Sequence, residues 1–240
     1  MQWYHNFVEA IEQRGRKYKD KTAIAYLHED GSRTNTSYEE KLEWVLDTSC
    51  KVKYKGLENL IEEPCVFIAN HSSHLDNMCV YKAVIQRYGY EKVRKLCCLA
   101  AKELVEQKEM KKRFYTLGAI PVERRGNAAK SLFTLNKYMR EEGYSVVIFS
   151  EGTRTRTGKI GRFTNGVASI SIANNVPVIP LGIKGTFEVW PAKRNRPHLS
   201  IPRKKVNVSI GEPMYPNGLE VKEFTRLLKE KVVELCENAE

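Results

Sequence analysis

A histidine and an aspartate five residues apart, His71 and Asp76, are the residues of this sequence best suited to acid–base chemistry. An apolar run at residues 65–69 is typical of a buried strand, so the histidine should emerge at the strand end, where open α/β sheets bind ligands. The aspartate begins a predicted helix, and a turn of this length can return its carboxylate to the imidazole. Such a pair favours general-base catalysis, because the carboxylate orients the ring and stabilises the imidazolium. The alternative is a histidine in a loop without a chemical role.

A metal site is a second possibility for this stretch. His71, His74 and Asp76 partly resemble the H-x-H-x-D-H ligands of metallo-β-lactamase-like hydrolases. Ser72 stands at the position of the first histidine of that pattern, and Asn77 at that of the last. The other histidines lie far away in the sequence, at positions 5, 28 and 198. Too few nitrogen ligands remain for such a zinc site, so no metal is expected.

A second predicted strand, residues 145–149, leads into a polar turn that suits an anion. Gly152 permits a tight turn with exposed backbone N–H groups, Thr153 adds a hydroxyl donor, and Arg154 adds a planar guanidinium. A third strand end is followed by Arg124. Arg125 follows it directly, and taken singly either arginine of this pair could be a solvated surface charge. Because Arg124 and Arg154 both follow predicted strands, they are candidates for binding a phosphate.

An apolar segment at residues 176–182 carries two prolines, Pro177 and Pro180. Proline cannot donate a hydrogen bond to a sheet, so the sequence predicts an edge strand or an irregular wall. Two roles fit this segment: it lines a channel for an acyl chain, or it serves only the fold.

Strands and helices alternate over most of the chain. Strands are predicted at residues 52–54, 65–69, 95–100, 119–122, 145–149, 178–182 and 206–210, and helices at 77–87, 102–111, 128–142, 165–173 and 219–238. This alternation predicts an α/β fold whose mostly parallel or mixed sheet is flanked by helices.

Residues 1–50 are predicted to form a separate N-terminal extension, an amphipathic helix followed by a short hairpin. The helix could pack on the body of the protein or lie in a membrane interface. Residues 17–40 also resemble the opening of acyl-adenylate-forming ligases. The large body of those enzymes is absent, including its phosphate loop, so adenylation is not expected.

Composition sets outer bounds on the function. The 240 residues are 42% hydrophobic, enough for one packed domain, and the net charge of +11 favours an anionic partner: a phosphate-bearing substrate, an anionic lipid surface or nucleic acid. The charge is also compatible with a basic surface that has no particular partner. No apolar run approaches the roughly 20 residues that span a bilayer, and no signal peptide opens the chain. The six cysteines lack metal-binding or disulfide spacing, so we expect reduced thiols and a cytoplasmic protein.

Four segments, taken in order, resemble the motifs of the glycerolipid acyltransferase family, typified by 1-acyl-glycerol-3-phosphate acyltransferase. The first three family patterns are N-H-x-x-x-x-D, G-x-x-x-x-[DE]-R and F-P-E-G-T-R-[ST], and the fourth is V-P-[IV]-[IV]-P. They match, in turn, Asn70, His71 and Asp76; Gly118, Glu123 and Arg124; Phe149, Glu151, Gly152, Thr153, Arg154 and Thr155; and residues 176–180. The resemblance covers residues 50–215 and makes residues 51–240 an acyltransferase domain.

The resemblance implies a reaction and a role for each motif residue. A fatty acyl group would pass from acyl-CoA or acyl-carrier protein to the hydroxyl of a lysophospholipid, most simply 1-acyl-glycerol-3-phosphate, without a cofactor. His71 would be the base and Asp76 would orient it. The acceptor's phosphate would be held by Arg124 and Arg154 with help from Gly152 and Thr153, while Glu151 would order the loop or orient the acceptor.

The sequence also departs from the family pattern. Ser150 replaces a usual proline, Pro121 a common aromatic residue and Thr164 a frequent lysine, which leaves the choice of acceptor open and includes other lyso-lipids. The hydrophobic N-terminal anchor usual in the family is missing, so attachment to the inner face of the membrane is expected to be peripheral.

A basic segment near the C-terminus suggests a membrane contact. Six cationic residues are interspersed with apolar ones there: Lys193, Arg194, Arg196, Arg203, Lys204 and Lys205, with Trp190, Leu199 and Ile201. A solvated loop is the alternative. The rival function from another class, a nucleic-acid-binding module, has charge in its favour but no recognisable binding motif.

Overall fold

The computed structural model describes residues 46–93, 95–101, 119–122, 129–194 and 197–239, and these form a seven-stranded sheet flanked by helices. In chain order the strands are β1 (Cys50–Lys55), β2 (Val66–Ala69), β3 (Leu96–Ala101), β4 (Ala119–Val122), β5 (Ser145–Phe149), β6 (Val178–Lys184) and β7 (Lys204–Ile210). Their order in space is β1-β7-β6-β2-β5-β3-β4. The strands from β6 to β4 are parallel, whereas β7 runs antiparallel to β6 and parallel to β1. The prediction of a mixed, mostly parallel α/β sheet is confirmed.

Helices cover both faces of the sheet. They are α1 (Asp76–Tyr88), α2 (Tyr90–Val93), α3 (Ala129–Glu142), α4 (Gly166–Asn174), α5 (Thr186–Val189) and α6 (Val221–Glu237), with a 3-10 turn at Leu57–Asn59. Apolar residues of α1 share one core with one face of the strands, represented by Val80 and Phe67. Residues of α3, α4 and α6 share a second core with the opposite face, represented by Phe224 and Ile68. Burial of both faces explains why the strands are nearly continuous apolar runs.

Helix α6 packs directly on strand β6 because Gly182 has no side chain. A Cβ at this position would lie 2.4 Å from the backbone nitrogen of Cys236, closer than two such atoms can approach. Phe224, Leu228 and Val232, on the apolar face of α6, are all buried. The long C-terminal helix is therefore held against the strand that ends beside the candidate site.

The prediction that the proline-containing segment forms an edge or an irregular wall is wrong, since β6 lies inside the sheet between β7 and β2. Pro180 is paired with Ile68 of β2, and its carbonyl accepts a hydrogen bond from the N–H of Gly211 on the β7 side. The ladder with β7 begins only at Leu181, so the missing N–H of Pro180 points to a place where no strand partner is needed. Ile179 and Leu181 are fully buried, so this segment serves the core rather than an open channel wall.

Most of the predicted N-terminal extension, residues 1–45, lies outside the described residues, as does the predicted helix at 102–111. Residues 46–49 are helical and lead into β1, and the side chain of Leu46 is fully buried in the core beneath α1. Within the described ranges no helix is both long enough and apolar enough to cross a bilayer.

Candidate active site

Three neighbouring parallel strands, β5, β2 and β6, are each followed by polar residues at their carboxyl ends. Ala69, at the end of β2, is in register with Phe149 at the end of β5 and with Leu181 near the end of β6. The residues that follow these strands therefore lie side by side. They include His71 after β2, Glu151 after β5 and Thr186 after β6.

The imidazole of His71 is hydrogen-bonded to the carboxylate of Asp76. The distance from Nδ1 to Oδ2 is 2.9 Å, and the aspartate side chain is fully buried whereas the histidine side chain is 21% exposed. Since Nδ1 faces a carboxylate, it carries the ring proton and Nε2 is left with a lone pair. Among the described residues no hydrogen bond is made to Nε2, so this nitrogen can accept a proton from a substrate.

The Asp76 carboxylate accepts three further hydrogen bonds, which fix its orientation. Oδ2 accepts from the backbone N–H groups of Ser72 and Ser73 at 2.6 and 2.7 Å. Oδ1 accepts from the hydroxyl of Thr186 at 2.6 Å. These donors hold the carboxylate in place against the imidazole.

The His71 ring and backbone are held by residues that follow β5. The imidazole stacks on the Phe149 ring with the centroids 4.0 Å apart. The backbone N–H of His71 donates to Oε1 of Glu151 at 2.7 Å, and Oε2 of the same carboxylate accepts from the N–H of Gly161 at 2.8 Å. The carbonyl of His71 accepts from the N–H of Thr155. Glu151 therefore ties the histidine to its own loop instead of facing a reacting atom as an acid.

The guanidinium of Arg154 lies against the imidazole of His74, which is three residues after His71 in the chain. The same imidazole packs on the ring of Trp190, with centroids 4.8 Å apart. Burial, then Arg154 and His71, lower the pKa of His74 to about 4, so its ring is neutral near neutral pH. A neutral ring can accept a hydrogen bond from Arg154, and this bond places the guanidinium beside the histidine motif that follows β2.

The other residues predicted to bind an anion differ in their surroundings. The N–H of Gly152 donates to the carbonyl of Phe149 within the turn, and the part of this residue in phosphate binding stays a prediction. The residue has φ +69°, which explains the glycine in this turn. Thr153 is exposed on the same loop and keeps its hydroxyl accessible. Arg124, with Gly118 and Glu123 of the same motif, lies outside the described residues.

Asn70 joins the ends of β2 and β6 through its side-chain amide. Its Nδ2 donates to the carbonyl of Ile183 and its Oδ1 accepts from the N–H of the same residue, both at 2.8 Å. The thiol of Cys236 on α6 lies 3.3 Å from the same Oδ1. The asparagine before the histidine is thus a structural link that sets the spacing of the two strand ends.

Sequence reasoning missed Thr186, whose hydroxyl completes the environment of Asp76. The signal available was a polar residue after the predicted strand at 178–182, a strand end whose following residues were not considered for chemistry. Ser72 adds to this arrangement, since its hydroxyl lies 3.0 Å from that of Thr186. The assignment of Trp190 to a membrane contact is also wrong, because the side chain is 3% exposed and its Nε1 donates to the carbonyl of Arg194.

The residues around the site do not converge as metal ligands. His71 and Asp76 bond to each other, and His74 is turned toward Arg154 and Trp190. No cluster of three or more potential ligands occurs in the part of the chain that the structure describes. What the arrangement offers is one proton acceptor and one nearby guanidinium.

A family model described as acyltransferase matches residues 51–184, more than half of the chain. The chain belongs to the acyltransferase family. The matched region contains the whole sheet edge built by His71, Asp76, Glu151 and Arg154. Family membership and fold together leave the alternative of a nucleic-acid-binding module without support beyond its charge.

Individual members of the family show how far the likeness extends. A chloroplastic 1-acyl-sn-glycerol-3-phosphate acyltransferase of Brassica napus is 30% identical over 145 residues, which are 59% of this chain and 39% of that protein. A probable 1-acyl-sn-glycerol-3-phosphate acyltransferase of Mycoplasma pneumoniae is 27% identical over 171 residues, covering 69% of this chain and 62% of the relative. The chain thus spans well under half of the plant relative.

A solved structure shares the fold. The crystal structure of the 1-acyl-sn-glycerophosphate (LPA) acyltransferase of Thermotoga maritima superimposes with a TM-score of 0.64 at 23% identity. The superposition covers 85% of this chain and 77% of that one. It supports the architecture of a mixed sheet with helices on both faces.

Ser150, which stands in place of the proline of the family motif, has a buried hydroxyl without a partner. Its side chain is 1% exposed, and no hydrogen bond to Oγ is found within the described ranges. Ser150→Ala should therefore raise the free energy of unfolding by about 1 kcal/mol, because an unpaired buried hydroxyl is removed. Thermal denaturation should show an increase of about 2–4 °C in Tm.

Ser145→Ala is the matched control for Ser150→Ala. This serine is also buried, but its hydroxyl accepts from the backbone N–H of Cys65 at 3.2 Å, so its removal should lower Tm. A fall in Tm for both variants would contradict the assignment of an unpaired hydroxyl at Ser150.

Proposed function

We propose that the protein is an O-acyltransferase that moves a fatty acyl group from a thioester to the free hydroxyl of a lysophospholipid, with 1-acyl-glycerol-3-phosphate as the acceptor. The observation that carries the proposal is the buried Asp76 carboxylate bonded at 2.9 Å to the partly exposed His71 ring. Family membership supplies the reaction class, and the relatives, which are 1-acyl-sn-glycerol-3-phosphate acyltransferases by name, suggest the acceptor.

In the proposed reaction, Nε2 of His71 takes the proton of the acceptor hydroxyl as the oxygen attacks the thioester carbonyl. The imidazolium that forms is stabilised by the Asp76 carboxylate across the Nδ1 hydrogen bond. The tetrahedral intermediate collapses with cleavage of the C–S bond, and the proton on His71 passes to the departing thiolate. A thiol has a pKa near ~8.5, far below that of an alcohol, so one base is sufficient for both steps.

Direct transfer agrees with the state of the cysteines. Five of the six are buried and all six are free. Burial raises the pKa of the Cys98 thiol to about 11, and burial above all raises the pKa of Cys236, the thiol nearest to Asn70, to about 12. Since the thiolate is the nucleophile, these protonated side chains are poor candidates for a covalent acyl intermediate.

The phosphate of the acceptor is proposed to bind at the loop after β5. Arg154 carries a guanidinium beside the histidine motif, and the exposed Thr153 adds a hydroxyl donor. Arg124 is proposed as a second cation on the grounds of the family motif alone. An anion held there would bring the neighbouring hydroxyl of a glycerol backbone within reach of His71.

The donor and the cellular location belong to the same proposal. Acyl-CoA and acyl-carrier protein both present a thioester, and either fits a site that needs no cofactor. The lipid acceptor and product favour a protein that works peripherally on the inner, cytoplasmic face of a membrane. The net charge of +11 supports attraction to anionic lipids.

Arg154→Ala should raise KM for 1-acyl-glycerol-3-phosphate by about 10- to 100-fold, the loss expected for one charge-assisted hydrogen-bonding group. KM for acyl-CoA should change little, because the phosphate of the acceptor is the proposed partner. Initial rates with the purified full chain measure both constants, and mass spectrometry identifies phosphatidic acid as the product. Acylglycerol, which lacks the phosphate, serves as the comparison acceptor.

Arg156→Ala is the matched control, because Arg156 is an exposed arginine of the same loop. It should leave both KM values close to those of the unaltered protein. An equal rise of both KM values in Arg154→Ala would argue against a phosphate clamp. Failure of the unaltered protein to acylate any lysophospholipid would overturn the proposed function.

A further inference from the structure

Five lysines from three strands share one face of the sheet beside its β1 edge. On β1 the alternate residues Lys51, Lys53 and Lys55 are exposed, while Val52 and Tyr54 point to the opposite face and pack against the core. The strand register pairs Lys51 with Lys205 of β7, and both Lys53 and Lys184 of β6 with Asn207. Paired residues point to the same side, and strands lie about 5 Å apart, so these side chains form one compact group. We call it the lysine face: Lys51, Lys53, Lys55, Lys184 and Lys205.

No carboxylate of the described residues neutralises the charges of the lysine face. All five side chains are exposed, and within the described ranges none of them forms an ion pair or a hydrogen bond with a carboxylate. Like charges this close together repel one another, a cost that an anionic partner would relieve. Sequence reading could not find this group, because its members are up to 154 positions apart and are joined only by strand pairing.

An exposed apolar loop adjoins the lysine face. Ile201 is 92% exposed and Leu199 46% exposed, the largest exposures among the described apolar side chains apart from that of Tyr215. The loop enters β7 directly before Lys204 and Lys205. An apolar tip next to a cationic surface has the two properties needed to bind the interface of an anionic bilayer.

Other residues of the basic segment predicted from the sequence are engaged within the protein. The side chain of Lys204 donates to the carbonyl of Glu188, and Arg203 donates to the carbonyl of Asp47. Arg196 lies outside the described residues. The cationic surface extends along β1 and β6 beyond the one segment that the sequence suggested, whose Lys193, Arg194 and Lys205 are exposed as well.

The apolar loop lies on the same side of the sheet as the candidate active site, beside the carboxyl end of β6. Because β7 is antiparallel to β6, its first residues are adjacent to the end of β6, where Thr186 bonds to Asp76. The carbonyl of Trp190, on the chain that leads into this loop, accepts hydrogen bonds from both Ser73 and His74. A surface that binds this loop would lie beside the entrance to His71.

We propose that the lysine face and the loop tip at Leu199 and Ile201 form a docking surface for an anionic membrane, with the two apolar side chains entering the interface and the lysines contacting headgroups. The choice of partner rests on the proposed function, in that a lipid acceptor is delivered from a bilayer. The charge complementarity and the exposed isoleucine stand without it. Nucleic acid would match the lysines alone, and an acidic carrier protein would leave the loop tip unexplained.

The test uses the purified full chain and two vesicle compositions, phosphatidylcholine alone and phosphatidylcholine with phosphatidylglycerol. The unaltered protein should sediment with the anionic vesicles and far less with the neutral ones. The triple variant Lys51→Gln, Lys53→Gln, Lys205→Gln should weaken binding to anionic vesicles by about 10- to 100-fold, as expected for roughly a fewfold loss per lysine. Ile201→Ser should weaken it by about 10-fold through loss of the apolar contact.

The matched control is the triple variant Lys137→Gln, Lys222→Gln, Lys229→Gln, which removes the same charge from helices α3 and α6. It should bind anionic vesicles like the unaltered protein. Equal loss in both triple variants would show an unspecific charge effect and overturn the docking surface. Unchanged vesicle binding after the first triple change, or loss of acyl-carrier-protein binding in its place, would overturn it as well.

Activity on a short-chain, water-soluble acceptor separates this proposal from the proposed function. The lysine variant should keep its kcat on that acceptor and lose rate only on acceptor presented in anionic vesicles. If the unaltered protein binds anionic vesicles through the lysine face but acylates no acceptor, the proposed function fails and the docking surface stands. If acylation proceeds but vesicle binding ignores the lysines, the docking surface fails alone.

Discussion

His71→Ala is expected to lower kcat for acyl transfer by about 10²–10⁴, the usual contribution of a general base. Nδ1 of His71 is bonded to Asp76, so Nε2 of the same ring is the atom that can accept the hydroxyl proton. The fold should persist, because Asp76 keeps its two backbone donors and the hydroxyl of Thr186. Initial rates at saturating acyl-CoA and acceptor measure the effect, and thermal denaturation reports the fold.

His198→Ala is the matched control for the base, because His198 is exposed and its one hydrogen bond within the described ranges runs from its backbone N–H to the carbonyl of Val189. It should leave kcat unchanged on a water-soluble acceptor. Full activity of His71→Ala would refute the assignment.

Asp76→Asn is expected to lower kcat by at least about 10² while the acceptor still binds. The amide can accept the hydrogen bond from Nδ1 of His71, but it brings no negative charge to stabilise the imidazolium. It also weakens the bonds from the N–H groups of Ser72 and Ser73, so the free energy of unfolding should fall by about 1–3 kcal/mol. Rates and thermal denaturation of the same preparation give both quantities.

Asp47→Asn is the matched control for the loss of a carboxylate. Its side chain is 55% exposed and is paired with Lys82, away from the reacting groups. Its effect on kcat and on Tm should be small, as for most surface ion pairs. An Asp76→Asn enzyme with unaltered kcat would mean that His71 needs no carboxylate, and the proposed proton transfer would fail.

The predictions from sequence succeeded where the relevant contacts are local. Each of the seven strands predicted between residues 52 and 210 is a strand in the structure, and His71 and Asp76 meet because one turn joins them. The direction of β7, antiparallel to β6, depends on a long-range pairing that the local pattern does not encode. The edge-strand prediction based on Pro180 failed for the same reason. Whether the proline nitrogen, which carries no hydrogen, needs a strand partner depends on where the pairing of β6 with β7 begins.

The parts of the site that the sequence did not predict depend on contacts between distant segments. Thr186 bonds to an aspartate 110 positions away, and its neighbour Gly185 has φ +97° where the chain turns out of β6. Tryptophan is a residue type that often anchors proteins to membranes, yet the Trp190 ring packs against that of His74. Aromatic side chains serve cores and interfaces alike, so only the packing could decide between the two.

The amide link between Asn70 and Ile183 and the hydroxyl link between Asp76 and Thr186 also bear on the order of events during synthesis. A nascent chain that has emerged only as far as β5 already contains both His71 and Asp76, but neither β6 nor Thr186. Its carboxylate lacks one of its donors, and the end of β2 lacks its partner on the β6 side. The site with both of these links therefore forms only after the residues through Thr186 have left the ribosome and joined the sheet.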